Sequence, residues 1–171
     1  MNAENLQYPI GKYVAPKEYS EDLLKNWMQE IENFPVKFSS IAEELTDAQL
    51  ETRYRPEGWT ARQVIHHVAD SHMNAFIRFK LTLTEDTPTI KPYLEHKWAQ
   101  LADVQLPISV SLQIVEAVHQ RWVVVLKNMK REDFDRTYNH PQYDEILPLC
   151  YALGLYVWHG EHHLAHIKLC M

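Results

Sequence analysis

Four histidines, His159, His162, His163 and His166, fall within eight residues of one apolar stretch, Tyr156-Val-Trp-His-Gly-Glu-His-His-Leu-Ala-His. On a helix, His159 and His163 stand one turn apart on the same face and can close on one ion, while His162 is rotated away. Two imidazoles hold a metal poorly, so a third must come from elsewhere. The other histidine pair on a strongly patterned segment is His66-His67, upstream of them. Neutral imidazoles suit a divalent first-row transition metal, with zinc, nickel and ferrous iron all acceptable. Three protein ligands leave positions open, which is the arrangement of catalytic sites, and a water or thiol taken up there loses its proton near neutral pH.

Other metal chemistries fail on spacing. There is no His-Glu-x-x-His, and Glu161 lies two residues from both His159 and His163, off their face. A di-iron site needs two Glu-x-x-His motifs and two further glutamates, whereas Glu116-Ala-Val-His119 is a single one. Neither Cys150 nor Cys170 belongs to a Cys-x-x-Cys pair, and on one helix they would stand about 30 Å apart, so both read as reduced thiols. His72, His96, His119 and His140 read as ordinary hydrogen-bonded histidines of core or surface.

The elements that must position these residues follow from capping signals and periodicity. Residues 1–17 carry aromatics and prolines without a helical period, and predict an extended arm. Ser20 caps a first amphipathic helix through Leu23, Leu24, Trp27, Ile31 and Phe34, which Pro35 should kink or interrupt before it resumes to about residue 45. Thr46-Asp-Ala-Gln49 and Thr60-Ala-Arg-Gln63 are capping boxes, the second strengthened by Trp59, which can staple onto Val64. From Thr60 to about Leu83 the helical period is unbroken, and His67, Ser71, Asn74 and Arg78 step by four, three and four along one face.

Residues 85–106, rich in proline, form a long crossover. Twenty extended residues span about 66 Å, while a 24-residue helix is about 36 Å long, so this link can return to the starting end and leave the second and third helices parallel. Residues 108–130 give the third long helix. A polar loop, 131–146, leads to Pro148 at the first position of the fourth, which runs to about Leu169. The expected fold is all-α, a four-helix bundle with a long crossover between helices 2 and 3, in a single domain of residues 1–171.

If His67 is a ligand, Asn74 and Arg78 line a pocket leading away from the metal, and an arginine there suits an anionic substrate or a carboxylate-bearing thiol. Asp70 and Tyr156 lie one turn from ligands and are placed to orient them. A formal charge of −6 argues against nucleic acid, and no apolar run is long enough to span a membrane. The N-terminal residues lack a basic region followed by an apolar one, so the cytoplasm is the expected compartment and a small molecule the expected partner.

The stretches Gly58-Trp-Thr-Ala-Arg-Gln-Val-Ile-His-His67-Val-Ala-Asp-Ser-His-Met-Asn74 and Leu153-Gly-Leu-Tyr-Val-Trp-His159-Gly-Glu-His-His163-Leu-Ala-His resemble the YfiT branch of the DinB-like metalloprotein superfamily. The likeness runs nearly end to end, from Tyr8 to Ile167. It implies a four-helix bundle with one metal per chain, zinc or nickel, held by His67, His159 and His163. It also implies a homodimer and metal-dependent hydrolysis, or transfer of a low-molecular-weight thiol such as bacillithiol. Many superfamily members carry glutamine where this chain has His166, so a fourth imidazole here could tune the site or compete for the metal. The reading from another class is a metal-binding or sensing module without turnover.

Overall fold

Side-chain caps set where the first two long helices begin. In the computed structural model, which describes residues 3–142 and 144–171, a short helix α1 (Ala3–Gln7) precedes α2 (Glu21–Ala42), whose cap Ser20 accepts from the Leu23 amide at 3.2 Å. Thr46 opens α3 (Asp47–Leu50) and Thr60 opens α4 (Ala61–Thr84). In both, Gln49 and Gln63 return a bond to the cap amide, at 2.9 and 3.0 Å, completing the capping boxes. The crossover holds α5 (Glu95–Trp98) and a 3₁₀ turn at Ala102–Gln105, and is followed by α6 (Ile108–Asn128) and α7 (Leu149–Lys168). The bundle is α2, α4, α6 and α7, with α2 and α4 each packed on both α6 and α7.

Contacts along the axes give the directions. His66 meets Ser111, His72 meets His119 and Phe79 meets Trp122, so α4 and α6 run parallel, as the long crossover predicts. Trp27 packs at Gly154 and Phe34 at Gly160, so α2 and α7 are also parallel. His67 faces His163 while Ser71 faces Tyr156, which makes α4 and α7 antiparallel.

The core has two apolar ends. One is built around Phe79, Trp122, Tyr138 and Leu153, the other around Phe38, Ile65, Leu164 and Ile167. Between them His72, His119 and His163 are buried at one level, so a polar layer crosses the interior. Both cysteines are free and buried, and among the described residues no helix is long and apolar enough to cross a membrane.

Four expectations change. Residues 3–7 are helical rather than extended, while Met1 and Asn2 lie outside the described residues. Pro35 sits inside a continuous α2: its missing N–H leaves the Ile31 carbonyl without a helical donor, and His119 Nδ1 fills that place at 2.7 Å. Within the predicted loop, a 3₁₀ turn (Arg131–Asp135) precedes an antiparallel pair, β1 (Thr137–His140) and β2 (Glu145–Pro148), with Thr137 opposite Pro148. Four-residue strands are too short to display an alternation. Pro148 therefore ends β2 and caps α7 in extended conformation instead of starting the helix, a place where a residue without N–H costs nothing.

Gly160 is glycine because a helix must approach closely there. A Cβ would lie 2.6 Å from the Phe34 ring, which is buried and stacked on Phe38, His72 and His119 and cannot yield cheaply. Alanine gains about 1 kcal/mol in helix propensity, and overpacking costs about 1–3 kcal/mol. We expect Gly160→Ala to lower stability in urea unfolding, with a net loss of up to about 2 kcal/mol; a raised midpoint would contradict this packing.

Candidate metal centre

The antiparallel pairing of α4 and α7 brings His67 opposite His159 and His163. His67 Nε2 and His159 Nε2 lie 3.3 Å apart, and a donor atom from each of the three rings falls within 4.8 Å of the others. With zinc–nitrogen bonds of about 2.0–2.1 Å, a tetrahedral edge between two imidazole nitrogens measures about 3.3 Å, so the His67–His159 spacing matches that of two ligands of one first-row ion, with His163 close by. The rings are neutral. Burial, aided by the neighbouring histidines, holds His159 and His163 well below the ordinary histidine range and His67 at about 4. Neutral imidazoles with their lone pairs converging, and no carboxylate among them, are a donor set for a transition metal and not for calcium or magnesium.

A second group, His162, His163 and His166, also lies within 4.8 Å and shares His163 with the first. His166 stacks on Tyr54 at 3.9 Å between ring centres, its Nε2 meets the Gln7 carbonyl at 3.2 Å, and its Nδ1 lies 3.3 Å from His163 Nδ1. His162 stacks on Trp158, with ring centres 4.5 Å apart. His66, the first of its pair, is occupied elsewhere: its two nitrogens bond Ser111 Oγ at 2.7 Å and the Leu106 carbonyl at 3.2 Å, tying α4 to the crossover.

His159 opens onto a cavity of about 270 Å³ whose lining includes Ser71, Asn74, Arg78, Tyr93 and Tyr156. Ser71, Asn74 and Arg78 of the polar stripe read from α4 thus line one wall. Ser71 Oγ lies 3.4 Å from His159 Nε2 and 3.5 Å from the Tyr156 hydroxyl. Arg78 is largely buried, with its guanidinium 5.2 Å from the Tyr138 ring centre and 5.6 Å from that of Tyr156. Burial works against its charge, but the two tyrosines outweigh that and raise its pKa. Among the described residues no carboxylate pairs with it, and its Nε has no partner.

Asp70 does not take the place its spacing allowed. Among the described residues its carboxyl makes no bond to a histidine; burial raises its pKa to about 6, with Asp103 of the crossover adding to the shift, and its main-chain carbonyl accepts from the Asn74 amide at 2.8 Å. Tyr156 stands beside His159, ring centres 5.5 Å apart, and reaches it through Ser71. Spacing missed two residues. His72 Nε2 lies 3.3 Å from His159 Nδ1, and His119 lies behind His72 at 2.7 Å. His72 is one residue off the stripe, and His119 stands on another helix, so only the packing reveals them. Tyr93 was also unreadable, because it enters the lining from the irregular crossover.

The chain matches the pattern of the DinB superfamily over residues 30–167. It is similar to a protein of Bacillus cereus described as a "putative metal-dependent hydrolase", with 51% identity over 163 residues, covering 95% of this chain and 94% of that one. A protein of Bacillus thuringiensis subsp. konkukian with the same description shares 51% identity with the same coverage. The solved structure of YfiT from Bacillus subtilis, described as "a probable metal-dependent hydrolase with an unusual four-helix bundle topology", superposes with a TM-score of 0.94 at 47% identity, covering 97% of this chain and 95% of that one. With a bundle of this topology, a histidine cluster between its helices and these full-length likenesses, the chain belongs to the DinB superfamily.

Proposed function

We propose that the chain is a metal-dependent enzyme in which His67, His159 and His163 hold one divalent transition metal, zinc or nickel, beside a pocket for a small anionic molecule. The observation that carries this reading is the meeting of three neutral imidazoles, one of which, His159, lines the same cavity as a buried arginine that no carboxylate among the described residues pairs with. Such an ion supplies Lewis acidity, lowering the pKa of a water or thiol at its open position and polarising an electrophile. The chain's own residues do the rest. Arg78, without a carboxylate, binds the anionic group of the substrate or of a thiol cosubstrate, and its forked donors fix that group's orientation. Asn74 adds an amide to the same wall. The Ser71 hydroxyl, next to His159 Nε2, is within reach of a group entering the centre. Tyr93, Tyr138 and Tyr156 narrow the cavity and exclude bulk water, which strengthens each of these contacts.

Hydrolysis is the activity attached to the relatives' names. Thiol transfer is the second reading: a centre with neutral ligands keeps its full positive charge and favours a thiolate, and Arg78 suits a thiol bearing carboxylates. The homodimer belongs to the same proposal, supported by Leu94, Trp98, Leu101 and Leu106, exposed apolar side chains clustered in sequence on the crossover.

Four measurements follow. Metal content should stand near one per chain and fall in His67→Ala, His159→Ala and His163→Ala but not in His96→Ala, an exposed position; equal retention in all four removes the ligand assignment. Acid should weaken the metal-free fold. The unfolded chain takes up protons at these histidines near pH 6.5, whereas folded His67 takes one up only near 4. Stability is therefore full above 6.5 and declines as pH falls through 4, with His67 alone contributing about 3 kcal/mol; flat urea midpoints from pH 7.5 to 4.5 would contradict it. In assays of ester or amide hydrolysis, and of thiol conjugation to a halogenated or epoxide electrophile with and without bacillithiol, Arg78→Ala should raise the KM for the anionic component about 10–100-fold with metal content unchanged. Turnover indifferent to thiol defeats the transferase reading, and silence in both assays leaves a binding module. Light scattering at micromolar concentration should give a dimer mass; a monomer removes the assembly part.

A further inference from the structure

We propose that His72, His119 and His166 are positioning residues: two imidazole relays, each ending on a main-chain carbonyl, hold His159 and His163 as Nδ1–H tautomers so that both Nε2 lone pairs are left for the metal. The inference rests on the reading of His67, His159 and His163 as ligands, and deepens it.

The first relay is fixed from its far end. The Ile31 carbonyl can only accept, so the 2.7 Å contact requires the proton of His119 on Nδ1. A neutral imidazole has one N–H, which leaves His119 Nε2 as an acceptor. Its 2.7 Å contact with His72 Nδ1 then needs the proton on His72 Nδ1. His72 Nε2 is left as an acceptor in turn, and its 3.3 Å contact with His159 Nδ1 puts the proton of His159 there. His159 Nε2 keeps its lone pair, on the side where His67 Nε2 lies 3.3 Å away. One tautomer thus repeats through three rings, and no other assignment of neutral rings satisfies all three contacts. The rings suit neutrality, being buried, with pKa values that burial pushes down.

The second relay is shorter. The Gln7 carbonyl accepts at 3.2 Å from His166 Nε2, which must carry the proton. His166 Nδ1 is then the acceptor for His163 Nδ1–H at 3.3 Å, and His163 Nε2 is left free. Both terminal carbonyls are available for a stated reason. Ile31 lies four residues before Pro35, which has no N–H to offer. Gln7 is the last residue of α1, where a helix leaves its carbonyls unpaired. Phe34 stacks on both His72 and His119, with ring centres 5.1 and 5.3 Å away, and holds their planes.

The relays also decide between the two histidine groups. An ion held by His162, His163 and His166 would have to displace a bond of the second relay, because both nitrogens of His166 and Nδ1 of His163 are engaged. An ion at the Nε2 atoms of His159 and His163 breaks none. His72→Ala is consequently not a neutral control for metal binding, contrary to its reading as an ordinary core histidine.

Two experiments test this, the first without metal or mutation. Two-bond ¹H–¹⁵N correlation spectra of the metal-free wild-type chain at pH 7.5 should show His72, His119, His159 and His163 protonated on Nδ1 and His166 on Nε2. Protonation of His72, His119 or His163 mainly on Nε2 overturns the proposal. The second measures zinc affinity by chelator competition. His72→Phe keeps the ring but removes the acceptor and should weaken binding about 10–100-fold, whereas His72→Gln, whose amide oxygen can accept from His159 Nδ1, should recover most of it. Equal affinity in His72→Phe and wild type, or equal loss in Phe and Gln, overturns the positioning role. Should His159→Ala retain its metal while the tautomers are as stated, the ligand reading fails and the relay stands.

Discussion

A histidine ring placed in the interior of a helical bundle brings two nitrogens, and each left without a partner costs about 1–3 kcal/mol. This chain buries His67, His72, His119, His163 and His166, so the fold is under heavy obligation to partner them. It meets much of that obligation with the histidines themselves and with main-chain carbonyls that have no helical donor, while the Nδ1 of His162, also buried, is left without a partner among the described residues. The hydrogen bonds are directional, so satisfying the layer also fixes ring planes and tautomers. The apolar ends of the bundle could slide or repack with modest loss; the layer between them has far less freedom.

Topology decides which rings can meet. Had the connection from α4 to α6 been short, the two helices would run antiparallel, and the register that pairs His66 with Ser111, His72 with His119 and Phe79 with Trp122 would be lost. The crossover makes the parallel arrangement possible and then serves a second purpose, since Tyr93 and Glu95 line the cavity that His159 opens onto. Its cost is a long irregular segment. His66 and Gln63 hold it down, through the carbonyls of Leu106 and Ala99 at 3.2 and 2.7 Å.

Much of this could be read from local chemistry. The boxes at Thr46 and Thr60, the close approach at Gly160 and the parallel return of the crossover all follow from short-range patterns or chain lengths, and each is present. Beyond His67 the stripe, as Ser71, Asn74 and Arg78, does line one wall. What escaped was set by distant partners. Asp70 has the right spacing to orient a histidine, yet its carboxyl is shifted upward by burial, with Asp103, which no helical periodicity relates to it, adding to the shift. The β1–β2 pair is too short to carry a period, and α1 is a single turn whose last carbonyl is taken by His166. Capping and periodicity constrain residues within a turn or two of one another, whereas the relays span helices.

The segment Phe34-Pro35 shows how packing and site chemistry become one constraint. Proline in the middle of a helix is costly through lost bonding, and by propensity alone it would be replaced. Here the carbonyl it leaves unpaired is the acceptor that ends the first relay, and the preceding Phe34 is the plate on which His72 and His119 lie. Gly160, between His159 and His163, makes room for that same ring. Two residues that weaken their own helices thus act on the same group of imidazoles from opposite sides. Each helix gives up some stability locally, and the arrangement of the histidine layer is what the pair of defects makes possible.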